Sequence, residues 1–124
     1  MLLKVSKVFS ECPGGRYESQ GPYSGEEFRN NYLIPIYDIC RERQEKLIVD
    51  LDGGYGYGCG FIEESFGGMV RCGYSGKELL KNIEYISEDE IGLPDKIRNY
   101  IKEADKNKKQ VQKRKRWFKW ELIF

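Results

Sequence analysis

The hydrophobic pattern changes period along the chain, and each change marks an element. MLLKVSKVF mixes apolar and charged residues in loose alternation and leads into ECPGGR, where Pro13, Gly14 and Gly15 supply turn chemistry. A strand entering a hairpin is predicted, with RYESQ as its partner. In GPYSGEE, Ser24 stands three residues before Glu27, the capping-box spacing, so a helix is expected to start near Gly25. Phe28, Tyr32, Ile36 and Ile39 or Cys40 then recur at spacings of three and four. They form one apolar stripe that leaves Arg29, Asn30, Asp38, Arg41 and Glu42 to water. Pro35 is expected to kink or divide this helix. KLIVDLD is short, rich in branched aliphatics and flanked by charge and glycine, which predicts a buried central strand.

The stretch DLDGGYGYGCGF, Asp50 to Phe61, follows that strand and places five glycines in eight positions. Beyond it Phe61, Ile62, Phe66, Met69 and Val70 make a second helical stripe, in which Gly67 and Gly68 signal close backbone packing or an early helix end. IEYIS reads as a short strand, and Ser87 with Glu90 repeats the capping spacing ahead of a last helix. That helix carries Ile97, Tyr100, Ile101 and Ala104 on one side, with Pro94 in its first turn. RWFKWELIF fits either a strand or a helix face. The order strand, strand, helix, strand, helix, strand, helix predicts an α/β or α+β sheet covered by helices, with parallel pairings in the second half.

At 124 residues the chain is expected to be one domain, residues 1–105, with a basic and aromatic extension at 106–124. No run of about 18 apolar residues occurs, and Lys4 and Lys7 interrupt the opening, so neither a membrane span nor a secretory leader is expected. The expected location is the cytoplasm. Cys12, Cys40, Cys59 and Cys72 form no C-x-x-C pair, which argues for reduced thiols and against structural zinc. The chain has no histidine, which removes Ser-His and Cys-His nucleophile pairs and the usual near-neutral acid or base. From Lys106 to Trp120 there are eight Lys or Arg and no acidic residue, so a basic tail follows an acidic body.

Taken in order, GPYSGEEFR, LIVDLDGGYGYG and FIEESFGGMVR resemble the bacterial STAS-like domains of unknown function, over about Val8 to Ala104. The resemblance implies a fold similar to sulfate-transporter and anti-anti-sigma-factor domains, a small mixed sheet of four or five strands with about three helices packed mainly on one side. In the better understood STAS relatives, the turn after the central strand and the first turn of the next helix dock a partner kinase, and phosphorylation of a serine there breaks the complex. Carried onto this chain, that surface comprises Asp50, Asp52, Gly53, Tyr55, Tyr57, Gly58, Cys59, Gly60, Phe61 and Glu64. Family members often carry serines just before the position of Phe61, where this chain has Cys59-Gly60. The resemblance also implies a histidine-kinase-like ATPase as partner in a partner-switch.

The glycine loop allows other chemistry. A phosphate cradle would use backbone N–H groups at a helix start. However, no G-x-G-x-x-G threads through GGYGYGCG and no G-K-S/T follows. Cys59 near a helix N-terminus could be an activated thiol, and Asp50 with Asp52, near Glu63 and Glu64, could share a metal ion. More simply, one Asp caps loop N–H groups. The leading expectation is a non-enzymatic regulatory module that binds a partner protein and needs no cofactor. The runner-up is nucleic-acid binding by Lys113, Arg114, Lys115, Arg116, Trp117 and Lys119, where basic residues interleave with aromatics. A carboxylate-metal or thiol-dependent enzyme comes third, and a homodimer through Trp117 to Phe124 is a further expectation.

Overall fold

Leu47–Asp50 is the central strand β2, as its branched aliphatic run predicts. It pairs in parallel with β1, Leu2–Lys4, on one side and with β3, Ile83–Ile86, on the other. The computed structural model describes residues 1–123, with side chains as far as Arg116. Among these residues the sheet has three strands in the order β1-β2-β3, all parallel, instead of the mixed four or five expected. The expected hairpin is absent because the chain coils into helix α1, Val5–Val8, directly after β1. RYESQ instead forms a 3-10 turn, Glu18–Gln20, and the residues before it cover the start of the next helix. Gly25 and Glu26 donate their N–H groups to the carbonyls of Gly15 and Arg16, satisfying two donors that a helix start leaves free.

That helix begins at Gly25, and Ser24 Oγ accepts from Glu27 N at 3.1 Å, the cap expected from the spacing. It runs through α2, Gly25–Phe28, a π turn, Arg29–Leu33, and α3, Ile34–Glu42. The interruption expected of Pro35 is this π turn, which ends just ahead of the proline. A π turn holds one more residue than an α turn, so the inward positions pass from Phe28 to Leu33, then Tyr37 and Cys40. Phe28 and Cys40 of the expected stripe are buried, while Leu33 and Tyr37 take the inward places expected of Tyr32 and Ile36, which are half-buried. Ile39 is exposed, and Arg29, expected in water, is buried.

The next helix has the same construction: α4, Cys59–Ile62, a π turn, Glu63–Gly67, and α5, Gly68–Arg71. Phe61, Ile62, Phe66, Met69 and Val70 are all buried as their spacing predicts. The π turn also carries Glu64 inward, where it meets Arg29. The guanidinium donates at 2.8 Å to Glu64 Oε1 and at 2.9 Å to the Glu64 carbonyl. Both side chains are under a tenth exposed. Gly68 lets the guanidinium lie across its backbone, where a Cβ would collide with Arg29 Nη1, and Gly25 lies as closely against the Phe61 carbonyl.

Helix α6, Gly76–Asn82, was not expected; Ser75 caps it by accepting from Glu78 N, a spacing visible in the sequence. Ser87 is not a helix cap. Its hydroxyl donates to the Glu90 carbonyl within a turn, and α7, Leu93–Ile123, starts later. Ile97, Ile101 and Ala104 of α7 are buried as predicted. The helix crosses the expected 105/106 boundary unbroken.

The helices cover one face of the sheet. Leu3, Leu47, Val49 and Ile83 are buried there, while Leu2, Glu84 and Ile86 on the other face are exposed. Half the sheet side chains therefore depend on the helix layer beneath them. We expect Glu64→Leu, which leaves Arg29 buried with only a carbonyl on its inner side, to lower unfolding free energy by about 3–5 kcal/mol. Arg29→Met/Glu64→Leu together should cost less than the sum of the single changes, measured by urea denaturation.

Candidate functional site at the glycine loop

The loop leaves β2 at the carboxyl end of the sheet, where the segments after β1 and β3 flank it. Asp50 Oδ1 accepts from the N–H of Asp52 at 3.0 Å, and its Oδ2 accepts from Lys4 Nζ at 3.1 Å. Asp52 turns the other way and accepts from the N–H groups of Asp89 and Glu88, each at 2.9 Å. Gly53 N–H donates to Asp89 Oδ2 at 2.9 Å, and Tyr55 N–H to the Glu11 carbonyl at 2.8 Å. All four oxygens of Asp50 and Asp52 are thus occupied by donors of the protein, and the two carboxylates fasten the loop to β1 and to the segment after β3. The N–H groups of Asp52, Gly53 and Tyr55 point to protein oxygens, three carboxylates crowd the turn, and a phosphate would meet repulsion there.

Within the loop Gly53 and Gly56 take φ of 93° and 110°, which only glycine adopts without strain. Tyr57 folds back, stacks 5.8 Å from Phe61 and donates to the Leu51 carbonyl at 3.1 Å. Burial and the nearby Asp50 and Asp52 charges push its phenol well above the ordinary value. Tyr55 points outward. Gly53, Gly58 and Cys59 are exposed, while Phe61 and Glu64, expected on the docking surface, are buried beneath it.

A charged cluster borders the start of α4. Arg16 bridges Glu63 and lies 3.5 Å from Glu64. Arg71 bonds Glu63 at 2.7 Å and Glu64 at 3.1 Å, and Arg29 holds Glu64 from inside. Burial alone would raise the Glu63 carboxyl; hydrogen bonds from Arg71 and Arg16 outweigh it and hold the group below its ordinary value. The neighbouring Cys59 and burial hold the phenol of Tyr100 on α7 above its usual value.

The family described as STAS-like domain of unknown function (DUF4325) matches residues 24–93, more than half of the chain. The chain belongs to this family. The match is narrower at both ends than the resemblance over Val8 to Ala104. No curated protein and no solved structure matches the chain.

Within this STAS-like domain the family-bearing motifs meet in space. GPYSGEEFR and FIEESFGGMVR are the two π-bearing helices, joined at Gly25, Arg29, Glu64 and Gly68, and LIVDLDGGYGYG is the strand and loop that they position. Arg16 and Arg71 were missed as members of the site, and Glu63 was considered only as a neighbour of a metal site. Their sequence signal was the Glu63-Glu64 pair, a double charge inside an apolar helical stripe. Among the described residues no group of three metal-ligating side chains converges, and no helix is long and apolar enough to cross a membrane. Lys113, Arg114, Lys115 and Arg116 are exposed on α7. The side chains of Trp117 and Lys119, and the dimer surface expected from Trp117 to Phe124, lie outside the described residues.

Asp52 gives a direct test of the loop's fastening. Hydrogen bonds from the backbone of Asp89 and Glu88 hold its carboxyl below the ordinary 3.8. The ionised form is favoured by folding, so the fastening is complete above that value and is lost as pH falls through the lowered one. Amide exchange should show Glu88 and Asp89 protected at neutral pH and losing protection only in acid. Asp52→Ala should remove that protection at every pH.

Proposed function

We propose that this STAS-like domain is a non-enzymatic regulatory module that docks a partner protein on its glycine loop, the partner class being a histidine-kinase-like ATPase of the bacterial cytoplasm. The carrying observation is an exposed aromatic ring on a loop that is already ordered. Tyr55 is 86% exposed, yet its own N–H is bound to Glu11 and the residues before it are fastened to β1 and to the segment after β3. Aromatic side chains presented without an ordering cost dominate binding energy at interfaces.

A cleft of about 270 Å³ opens beside Tyr55, between the loop and the turn before α7. Leu51, Tyr57 and Leu93 line it, with Asp89 and Glu90 among the polar groups around them. It suits an apolar or cationic side chain of the partner, and the exposed Gly53, Gly58 and Cys59 continue the surface. The ATPase class rests on likeness to the better understood STAS domains. The mode of release differs from theirs in this reading, because Cys59-Gly60 offer no hydroxyl. Ser65, the next serine, is buried and donates to the Phe61 carbonyl at 2.7 Å.

The strand order supports binding of a protein over binding of a nucleotide. Open parallel sheets hold nucleotides in the crevice where the strand order reverses, and β1-β2-β3 has no such reversal. The test is in-cell photocrosslinking from position 55 or 59, compared with Glu42 on the far end of α3. Adducts are expected from the loop positions only, and Tyr55→Arg should abolish those from position 59. If folded Tyr55→Arg and Cys59→Arg chains capture the same proteins as the parent with equal yield, the loop is not the interface.

A further inference from the structure

The chain carries a second concave surface, remote from the glycine loop. The loop lies at the carboxyl end of the sheet, whereas α6 leads into the amino end of β3. Between α6 and α7 runs an open groove of about 550 Å³. Lys77 and Leu80 line it from α6, and Lys102, Lys106, Lys109 and Lys113 line it from α7. The four α7 lysines follow spacings of four, three and four residues, so they form one stripe with a cation on every turn. The stripe is about 16 Å long at the helical rise.

The groove is short of counter-charge. Asp105 is the one carboxylate in its lining, and Lys109 already holds it at 3.1 Å. Among the described residues no carboxylate lies within ion-pair distance of Lys77, Lys102, Lys106 or Lys113. The helices touch where Gly76 admits Asp105, since a Cβ on Gly76 would lie 2.9 Å from Asp105 Cβ. Among the described residues Ala104 is the last buried one of α7, and beyond the contact Lys106 to Arg116 are exposed apart from a half-buried Lys108. A helix with like charge on each turn and little apolar contact gains nothing from its own stripe and is stabilised by opposite charge laid alongside it.

We propose that this groove docks an acidic amphipathic helix of a partner protein, with carboxylates at the same spacing as the lysines and apolar side chains on Leu80 and the lysine stems. Lysine stems present methylene surface while their ammonium groups stay at the rim. A nucleic-acid backbone would meet the charges but leave the apolar floor unused, and among the described lining residues no aromatic ring is present for base stacking. Charge complementarity over a concave apolar floor therefore selects a protein segment.

The experiment uses the full chain and a fluorescent peptide of about 16 residues, with Glu at spacings of four, three and four and Leu between them. Anisotropy is read at about 0.15 M salt. Two probes stand beside the peptide: a poly-glutamate peptide of the same length and charge, and a single-stranded oligonucleotide. Lys102→Glu/Lys106→Glu alters the groove, and Arg114→Glu/Lys115→Glu makes the same charge change outside its lining; circular dichroism checks that both remain folded. The amphipathic peptide should bind saturably and more tightly than either other probe, and the groove pair should weaken it by about tenfold or more while the outer pair leaves it within about twofold. Absence of saturable binding, equal losses in the two variants, or an oligonucleotide or poly-glutamate affinity matching the peptide's would each overturn the proposal. None of these outcomes depends on the glycine loop, so this surface and the loop stand or fall separately.

Discussion

The contact between Arg29 and Glu64 is the constraint from which the rest of the domain is built. A guanidinium and a carboxylate, each under a tenth exposed, meet at 2.8 Å between two helices that otherwise bury phenylalanine, leucine and isoleucine. Neither charge could be buried without the other. Each sits in a π turn, Arg29 at the start of one and Glu64 within the other, and both side chains face the crossing. Gly68 supplies the room and Gly25 sets the closeness of the crossing. The pair fixes how the helices cross more narrowly than apolar contact alone would, because a guanidinium hydrogen bond tolerates little displacement.

The glycine loop inherits its position from that crossing. The helix that carries Glu64 begins at the end of the glycine loop, and Phe61 in its first turn packs against Phe28 of the other helix and against Tyr57 of the loop. Arg16 and Arg71 bridge Glu63 and the outer oxygen of Glu64, so the carboxylate that holds Arg29 also helps to order the rim. At the other end of the loop Asp50 and Asp52 tie it to Lys4 and to the backbone after β3. A loop with five glycines would be mobile in isolation. Here carboxylates at its start and an aromatic stack at its end hold it, and Tyr55 stands on a rigid support.

Much of this was legible in the residues. The central strand, the cap at Ser24, the second apolar stripe, the close packing at Gly68 and the inward face of α7 all follow from local patterns that need only a neighbour of some kind. Phe28, Tyr32 and Ile36 keep the period of an α-helix, but one wide turn passes the inward places of Tyr32 and Ile36 to Leu33 and Tyr37, and no local preference announces a π turn. The hairpin expected after β1 failed because the PGG segment finds its hydrogen-bond partners on a helix start instead of a strand. Asp50 and Asp52 could be read as metal ligands or as caps until their donors were known; apart from the Asp52 N–H that binds Asp50, the donors come from Lys4, 46 positions away, and from Glu88 and Asp89, 36 and 37 away.

The sequence by itself determined the class of fold, the family, the place of the loop after the central strand and the division between an acidic body and a basic helix. These are properties of composition, period and short motifs, each set within a few residues. Only the tertiary structure decided that the sheet is three parallel strands with one face open, that two charged residues belong to the core, that Tyr55 and not Tyr57 faces outward, and that the basic stripe borders a groove. Each of these depends on which distant groups satisfy a buried charge or a backbone donor, and that pairing exists only once the chain has closed on itself.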